Sequence, residues 1–176
     1  DYLKVSGGIF RDMTIHDFDL ISFLLDNDPI EEIFAIGKNI FSKEAKEAKD
    51  IDSAMIIMKS KSGVLCHINN SRHASYGHDQ RVELFGSKGM LVADNQTPTS
   101  VKSFNFKSTS SKEPILDFFI ERYKIAYKNE LDSFINSINN KKTINVTFED
   151  GRNALVVANA AYQSLESGKL IKINYD

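Results

Sequence analysis

No Gly-x-Gly-x-x-Gly follows a strand-like run anywhere in these 176 residues, and no other glycine-rich loop is built to cradle a phosphate. That absence excludes a dinucleotide-binding half from the chain. Gly86-Ser87-Lys88-Gly89 comes nearest, but it joins two short strand-like runs and reads as a hairpin turn. Cysteine occurs once, at Cys66, so no internal disulfide can form, and the run Val64 to Ile68 around it points to a packing role. No apolar run approaches the roughly 18 residues of a membrane span. The opening DYLKVSGG has neither a charged n-region nor an apolar h-region, so export is not expected. Basic blocks are missing too: 22 Lys and Arg stand against 24 Asp and Glu, a net charge of −2, which argues against a nucleic-acid footprint. No His, Cys, Asp and Glu cluster has metal-ligand spacing, so no metal is expected. These absences lead us to expect a cytoplasmic protein without nucleic-acid or membrane partners.

What is present is ordinary in bulk and unusual in one stretch. Apolar residues make up 41% and charged residues 26%, a globular composition, and the length suits one domain over residues 1–176. The unusual stretch is Ser6 to Leu25, SGGIFRDMTIHDFDLISFLL. A glycine pair enters a helix whose apolar residues recur at Phe10, Met13, Leu20, Ile21 and Leu24. Asp12, His16 and Asp19 follow at steps of four and three, which sets them on one helical stripe beside Ile15 and Phe23. Two acids and an imidazole at the rim of an apolar face read in two ways. They are polar groups turned toward a cleft, with Asp12 fixing the tautomer of a His16 acid/base, or they are a local pair on a core-edge helix.

Along the chain, Asn27-Asp28-Pro29 ends that helix. Strands follow at Glu32 to Ile40, Ser53 to Lys59, Val64 to Asn70, Arg81 to Phe85, Met90 to Ala93 and Val101 to Lys107, with Ser60 to Gly63 as a hairpin turn and Phe41 to Asp50 as a charged excursion. A long helix is predicted over Ile115 to Ile138. A second begins near Thr147, with Asp150 completing a capping box, ends at Gly168 and hands over to a strand Leu170 to Asn174. The fold class is therefore α+β: a broad, mostly antiparallel sheet with helices packed on one face. Ala54 to Met58 is apolar on both alternating faces, so the far face of the sheet should be covered as well. Between the hairpins, residues 69–81 are dense in hydrogen-bonding side chains, read either as a surface for a polyhydroxylated ligand or as a polar loop with a glycine turn.

The run GGIFRDMTIHDFD resembles the active-site helix of the glucose-fructose oxidoreductase and inositol dehydrogenase family (Gfo/Idh/MocA), matching its pattern at Gly7, Gly8, Asp12, His16 and Asp19. The resemblance extends over nearly the whole chain and is strongest there, at Phe85 to Gly89 and over Asp150 to Gly168. It implies the C-terminal half of a longer oxidoreductase, with a glyceraldehyde-3-phosphate-dehydrogenase-like fold, cut near the domain boundary. It implies NAD or NADP bound mainly by an absent N-terminal domain, and a polyol substrate whose ring hydroxyl is oxidised to a ketone. Another sugar or a dihydrodiol is the alternative within the family, and a non-catalytic polyol-binding or oligomerisation module the alternative outside it. His16 and Asp12 become the catalytic pair. Asp19, Tyr76 and His78 become substrate contacts, the last two from a Tyr-Gly-Tyr-Asp pattern that reads Tyr76-Gly77-His78-Asp79 here. Tyr127, with Arg122 behind it, becomes the cofactor-side residue, while Tyr123 is assigned to the core and His67 to the sheet surface. The family's habit of pairing open sheet faces implies a homodimer or homotetramer. No Arg or Lys cluster is evident near Asp12 and His16, which counts against a phosphorylated substrate.

Overall fold

In the computed structural model, residues 2–176 are described. Their elements in chain order are α1 (Tyr2–Val5), a π-helical turn (Phe10–Thr14), α2 (Ile15–Leu24), β1 (Ile30–Lys38), α3 (Lys43–Glu47), β2 (Ser53–Ser60), β3 (Leu65–Ser71), β4 (Val82–Gly86), β5 (Gly89–Ala93), β6 (Lys102–Asn105), β7 (Ser108–Lys112), α4 (Phe119–Asn140), α5 (Phe148–Ser167) and β8 (Ile171–Lys172). They fall into two compact units, one holding the chain up to His73 together with Asn145–Asp176, the other holding Ala74–Ile144.

The first unit is built on a four-stranded sheet in the order β3-β2-β1-β8. Every pair in it is antiparallel. One face is apolar and buried, carrying Ile33, Ala35, Ala54, Ile56, Met58 and Ile68. Against it lie Val157, Ala158 and Ala161 of α5, with Ile9, Phe10 and Phe18 from the π turn and α2. Alanine on α5 lets that helix approach the sheet closely, and burial of this face is the main apolar contribution to the unit's stability. One polar side chain is enclosed here for a definite reason. β8 reaches only as far as Ile33 on β1, so the N–H of Ala35 has no ladder partner and donates instead to Ser164 Oγ at 2.9 Å. The same hydroxyl donates to the Lys169 carbonyl at 2.7 Å, so no buried polar group is left over there.

Local chemistry sets the boundaries of this unit. Thr147 and Asp150 form the capping box, and Gly168 ends α5 in the left-handed conformation. The Ser60–Gly63 turn closes β2 onto β3. Cys66 is half-buried beside the core, and His67 is exposed on the strand surface.

The second unit consists of two hairpins and a long helix. β4 and β5 turn through Ser87-Lys88, with Gly86 opposite Gly89. The run Val101 to Lys107 is not one strand but the first arm and turn of a hairpin, β6 paired with β7. The long helix starts at Phe119 rather than Ile115 because residues before it are spent on tying the chain down: Leu116 donates its N–H to Gln96 and accepts from His78. The α+β class with antiparallel pairing holds. The strands are apportioned between one sheet and two hairpins, and the helices on the buried face of the sheet are α2 and α5.

Candidate active site

The chain enters the site through Gly7 and Gly8, with φ of 86° and 82°. Gly8 passes so close to Tyr162 that a β-carbon there would overlap the Tyr162 hydroxyl, and it would stand 3.0 Å from Asp50 Oδ1. Tyr162 uses that closeness: its hydroxyl accepts from the Phe10 N–H at 3.3 Å and donates to the Gly7 carbonyl at 3.1 Å. Its ring meets Phe10 edge-on at 4.8 Å. Ile9, Phe10 and Thr14 are fully buried and hold the first turn against the core.

That turn is π-helical, not α-helical, from Phe10 to Thr14. Single π turns within helices recur at functional sites because one extra residue re-aims the side chains around it. Asp12 lies in the π turn, and His16 and Asp19 lie on α2 beyond it. Asp12 does not hydrogen-bond His16. Its Oδ2 accepts from Arg72 Nη1 at 2.7 Å, and its Oδ1 accepts from the Tyr2 hydroxyl. Arg72 Nη2 reaches Asp50 Oδ2 at 3.2 Å, while Asp50 Oδ1 takes the Ile9 N–H at 3.2 Å. The three charged side chains are well enclosed, with exposures of 12% for Arg72, 11% for Asp12 and 7% for Asp50.

Two expectations are corrected here. The carboxylate meant to fix the His16 tautomer is taken up by a guanidinium, and a cation does stand at Asp12. Arg72 belongs to the polar run after β3 that the sequence singled out, but its partner lies 60 positions earlier, a distance that spacing cannot reveal.

The His16 side chain is exposed and makes no hydrogen bond among the described residues. Its neighbour Asp17, which sequence reasoning passed over, turns inward and accepts from Asn70 Nδ2 at 3.0 Å. Burial pushes the Asp17 carboxyl up; the Asn70 bond and the nearby His16 offset this only in part. Asn70 Oδ1 is buried without a partner among the described residues. Asp19 is half-buried. Asp12, His16 and Asp19 therefore share one continuous helical segment, flanked by Arg72, Asp50, Asp17 and Asn70.

Tyr76, His78 and Tyr127 belong to the second unit. There Asp79 is the hub. It accepts from Arg81 at 2.8 and 2.9 Å, from Asn95 at 2.6 Å and from the exposed Tyr76 hydroxyl. The Arg81 guanidinium first, then Tyr76 and Asn95, outweigh the cost of burial and hold the Asp79 carboxyl at about 2. His78 is half-buried, donates its backbone N–H to Leu116 at 2.8 Å and sets its ring edge-on to Tyr123 at 5.9 Å. Its Nε2 is buried without a partner among the described residues. Tyr123 bonds Gln80 through its hydroxyl, and Tyr127 lies beyond it at 6.2 Å between ring centres, half exposed. Arg122 binds the carbonyls of Gln80 and Asp94, each at 3.3 Å.

Every strand pair being antiparallel, the described residues contain no β-α-β crossover of the kind that holds a dinucleotide. What they offer is a set of side chains suited to bind and orient a hydroxylated molecule and to accept a proton. Among the described residues no helix is long and apolar enough to cross a membrane.

The model for the oxidoreductase family's C-terminal alpha/beta domain matches residues 2–173. A myo-inositol 2-dehydrogenase from Thermotoga maritima is 43% identical over 173 residues, 98% of this chain and 51% of that protein. The crystal structure of a myo-inositol dehydrogenase from Corynebacterium glutamicum superposes with a TM-score of 0.93 at 48% identity, covering 99% of this chain and 52% of that one. A scyllo-inositol dehydrogenase from Lactobacillus casei, solved with NAD(H) and scyllo-inositol bound, gives 0.85 at 28% identity over 94% of this chain and 48% of that one. The chain spans about half the length of the relatives it matches.

Proposed function

We propose a function from the premise that this chain belongs to the Gfo/Idh/MocA oxidoreductase family, as its C-terminal alpha/beta domain. The chain is the substrate-binding and oligomerisation portion of an NAD-dependent inositol 2-dehydrogenase that oxidises a ring hydroxyl of a polyol to a ketone. One observation carries the reading: an exposed imidazole, His16, free of hydrogen bonds among the described residues, follows within one helical segment a carboxylate, Asp12, that a guanidinium holds in place.

In this reading His16 accepts the proton of the substrate hydroxyl. Asp12 has lone pairs left after Arg72 and Tyr2 are served, and it accepts a second hydroxyl of the ring. Asp19 contributes a further acceptor. In the second unit Tyr76 and His78 are the candidates for hydroxyl groups, and Tyr127 is the candidate for the cofactor. Bound nicotinamide supplies the hydride acceptor, and the dinucleotide is held mainly outside the segment described here, since these residues form no crossover for it. The NAD(H)-bound relative supports the choice of NAD. Arg72 is already shared between two carboxylates, so the charge around Asp12 disfavours a phosphorylated sugar. The assembly is a homodimer or homotetramer formed through the outer sheet face, and the lone half-buried cysteine suits the cytoplasm.

The test is steady-state turnover by the full-length gene product with NAD and NADP in turn, against myo-inositol, scyllo-inositol, glucose and a sugar phosphate. Inositol-dependent reduction of NAD is expected, and His16→Ala should lower kcat by roughly 10²- to 10⁴-fold. Silence with every inositol overturns the substrate assignment. A His16→Ala enzyme with unchanged kcat overturns the proton acceptor.

A further inference from the structure

We infer that Arg72 is a positioning residue for this site, which it serves by holding Asp12 in the orientation that reads a substrate hydroxyl; the inference rests on the function proposed above. Arg72 is fixed before it reaches Asp12. It follows directly on β3, and its backbone N–H donates to the Asp52 carbonyl at 2.8 Å. Asp52 is in turn immobilised, fully buried and bonded to the N–H groups of Ile40, Phe41 and Ser42 at 2.7–2.9 Å. From that base the guanidinium opens toward two different carboxylates. Nη1 takes Asp12 Oδ2 and Nη2 takes Asp50 Oδ2. Asp50 closes the arrangement by receiving the Ile9 N–H at the mouth of the π turn.

This geometry settles what Asp12 can do. With Oδ2 turned to Arg72 and Oδ1 to Tyr2, each oxygen keeps one further acceptor position, and the carboxylate presents acceptors in a fixed plane. Without the guanidinium, Asp12 and Asp50 would be two enclosed carboxylates with no cation between them, and Asp12 would relieve that by swinging toward water. A reading group displaced by about 1 Å forfeits up to about a hundredfold in rate. Lysine cannot replace arginine here, because a single ammonium lacks the planar fork that reaches both acids at once.

The experiment is a double-mutant cycle in the full-length protein, with inositol and NAD, over wild type, Arg72→Ala, Arg72→Lys, Asp12→Asn and Arg72→Ala/Asp12→Asn. Arg72→Ala should lower kcat/KM roughly 10- to 100-fold, mostly through KM, and Arg72→Lys should fall between it and wild type. The double variant should be no worse than Asp12→Asn alone, since Arg72 acts through Asp12. Free guanidinium should restore part of the activity of Arg72→Ala and none of that of Asp12→Asn. An Arg72→Ala loss that multiplies that of Asp12→Asn overturns the inference, as does an Arg72→Ala enzyme with wild-type KM and kcat. If Arg72→Ala does not fold, Arg72→Lys carries the test alone, and wild-type KM and kcat in it overturn the inference. A wild-type protein inactive on all inositols overturns the proposed function first and this inference with it, so the two failures are told apart by the wild-type trace.

Discussion

The aspartates of this chain show how far the surroundings of one side chain decide its behaviour. Asp17 and Asp52 both face inward. Asp17 receives one bond from an amide, and burial leaves its carboxyl raised. For Asp52 burial is also the largest single influence and pushes upward, but the N–H groups of Ser42, Ile40 and Phe41 and the Ser53 hydroxyl together outweigh it and hold the group at about 2. A carboxyl depressed in the folded state stabilises the fold above its unfolded value, near 4, and that contribution drains away as the pH falls from about 4 to about 2. Asp52→Asn should therefore lower stability at pH 7 by roughly 2–3 kcal/mol, because three N–H groups lose a buried, charged acceptor. The gap from wild type should narrow through that acid window. Urea unfolding at a series of pH values reads both effects, and a gap that stays constant down to pH 2 would show that the charge on Asp52 is not what holds the loop at residues 40–42.

The entry to the candidate site depends at the level of the element on one position without a side chain. Gly8 and Gly63 both have positive φ, 82° and 94°, but a β-carbon at Gly63 would meet nothing within 4 Å whereas at Gly8 it would run into Tyr162 and Asp50. The backbone cost of alanine is similar at the two, about 1–2 kcal/mol. Any excess at Gly8 measures the packing of Tyr162 against the turn. We expect Gly8→Ala to cost roughly 3 kcal/mol or more and Gly63→Ala roughly half that, read as thermal midpoints. Equal midpoints would mean that Tyr162 can move aside freely. The glycine pair was legible in the sequence as the entry to the helix, since glycine takes a positive φ more readily than any other residue. So were the capping box at Thr147, the end of α5 at Gly168 and the hairpins around Ser60–Gly63 and Gly86–Gly89, all of which are written in adjacent residues. The π turn was not, since one inserted residue leaves the apolar spacing of Phe10 and Met13 intact. Nor was the link from Arg72 to Asp12 and Asp50, which joins segments that only the completed sheet brings together. Ile115 to Phe118 reads as helical because three of its four residues are apolar, and it is lost to tertiary hydrogen bonds that periodicity does not record.

For the whole molecule, burial is distributed unevenly, in the way the proposed assembly would account for. Among the described residues none of those from 74 to 144 is buried, so the second unit has no enclosed core of its own in the single chain. In the first unit the buried face of the sheet is matched by an outer face that is also apolar: Ile36 stands opposite Met55, and Phe34 opposite Ile57. Ile36, Met55 and Ile57 are 52%, 59% and 57% exposed. That patch is bordered by the Glu32–Lys59 ion pair at 2.7 Å and, on β3, by His67 opposite Ile57 and Asn69 opposite Met55. An open sheet with such a surface suits association, and the assembly proposed above would cover it with the same face of a second copy. Ile57→Glu would then bury a carboxylate at the centre of the contact, with His67 as its one cross-strand neighbour on β3. A penalty of about 3 kcal/mol or more weakens self-association at least roughly a hundredfold. Light scattering after size exclusion should show a smaller species for Ile57→Glu, while Phe134→Glu on α4 should leave the mass unchanged. The reverse pattern would move the interface from the sheet to the long helix. It would also explain at once why α4, with Leu131, Phe134, Ile135 and Ile138 all exposed, keeps so apolar a stripe in water.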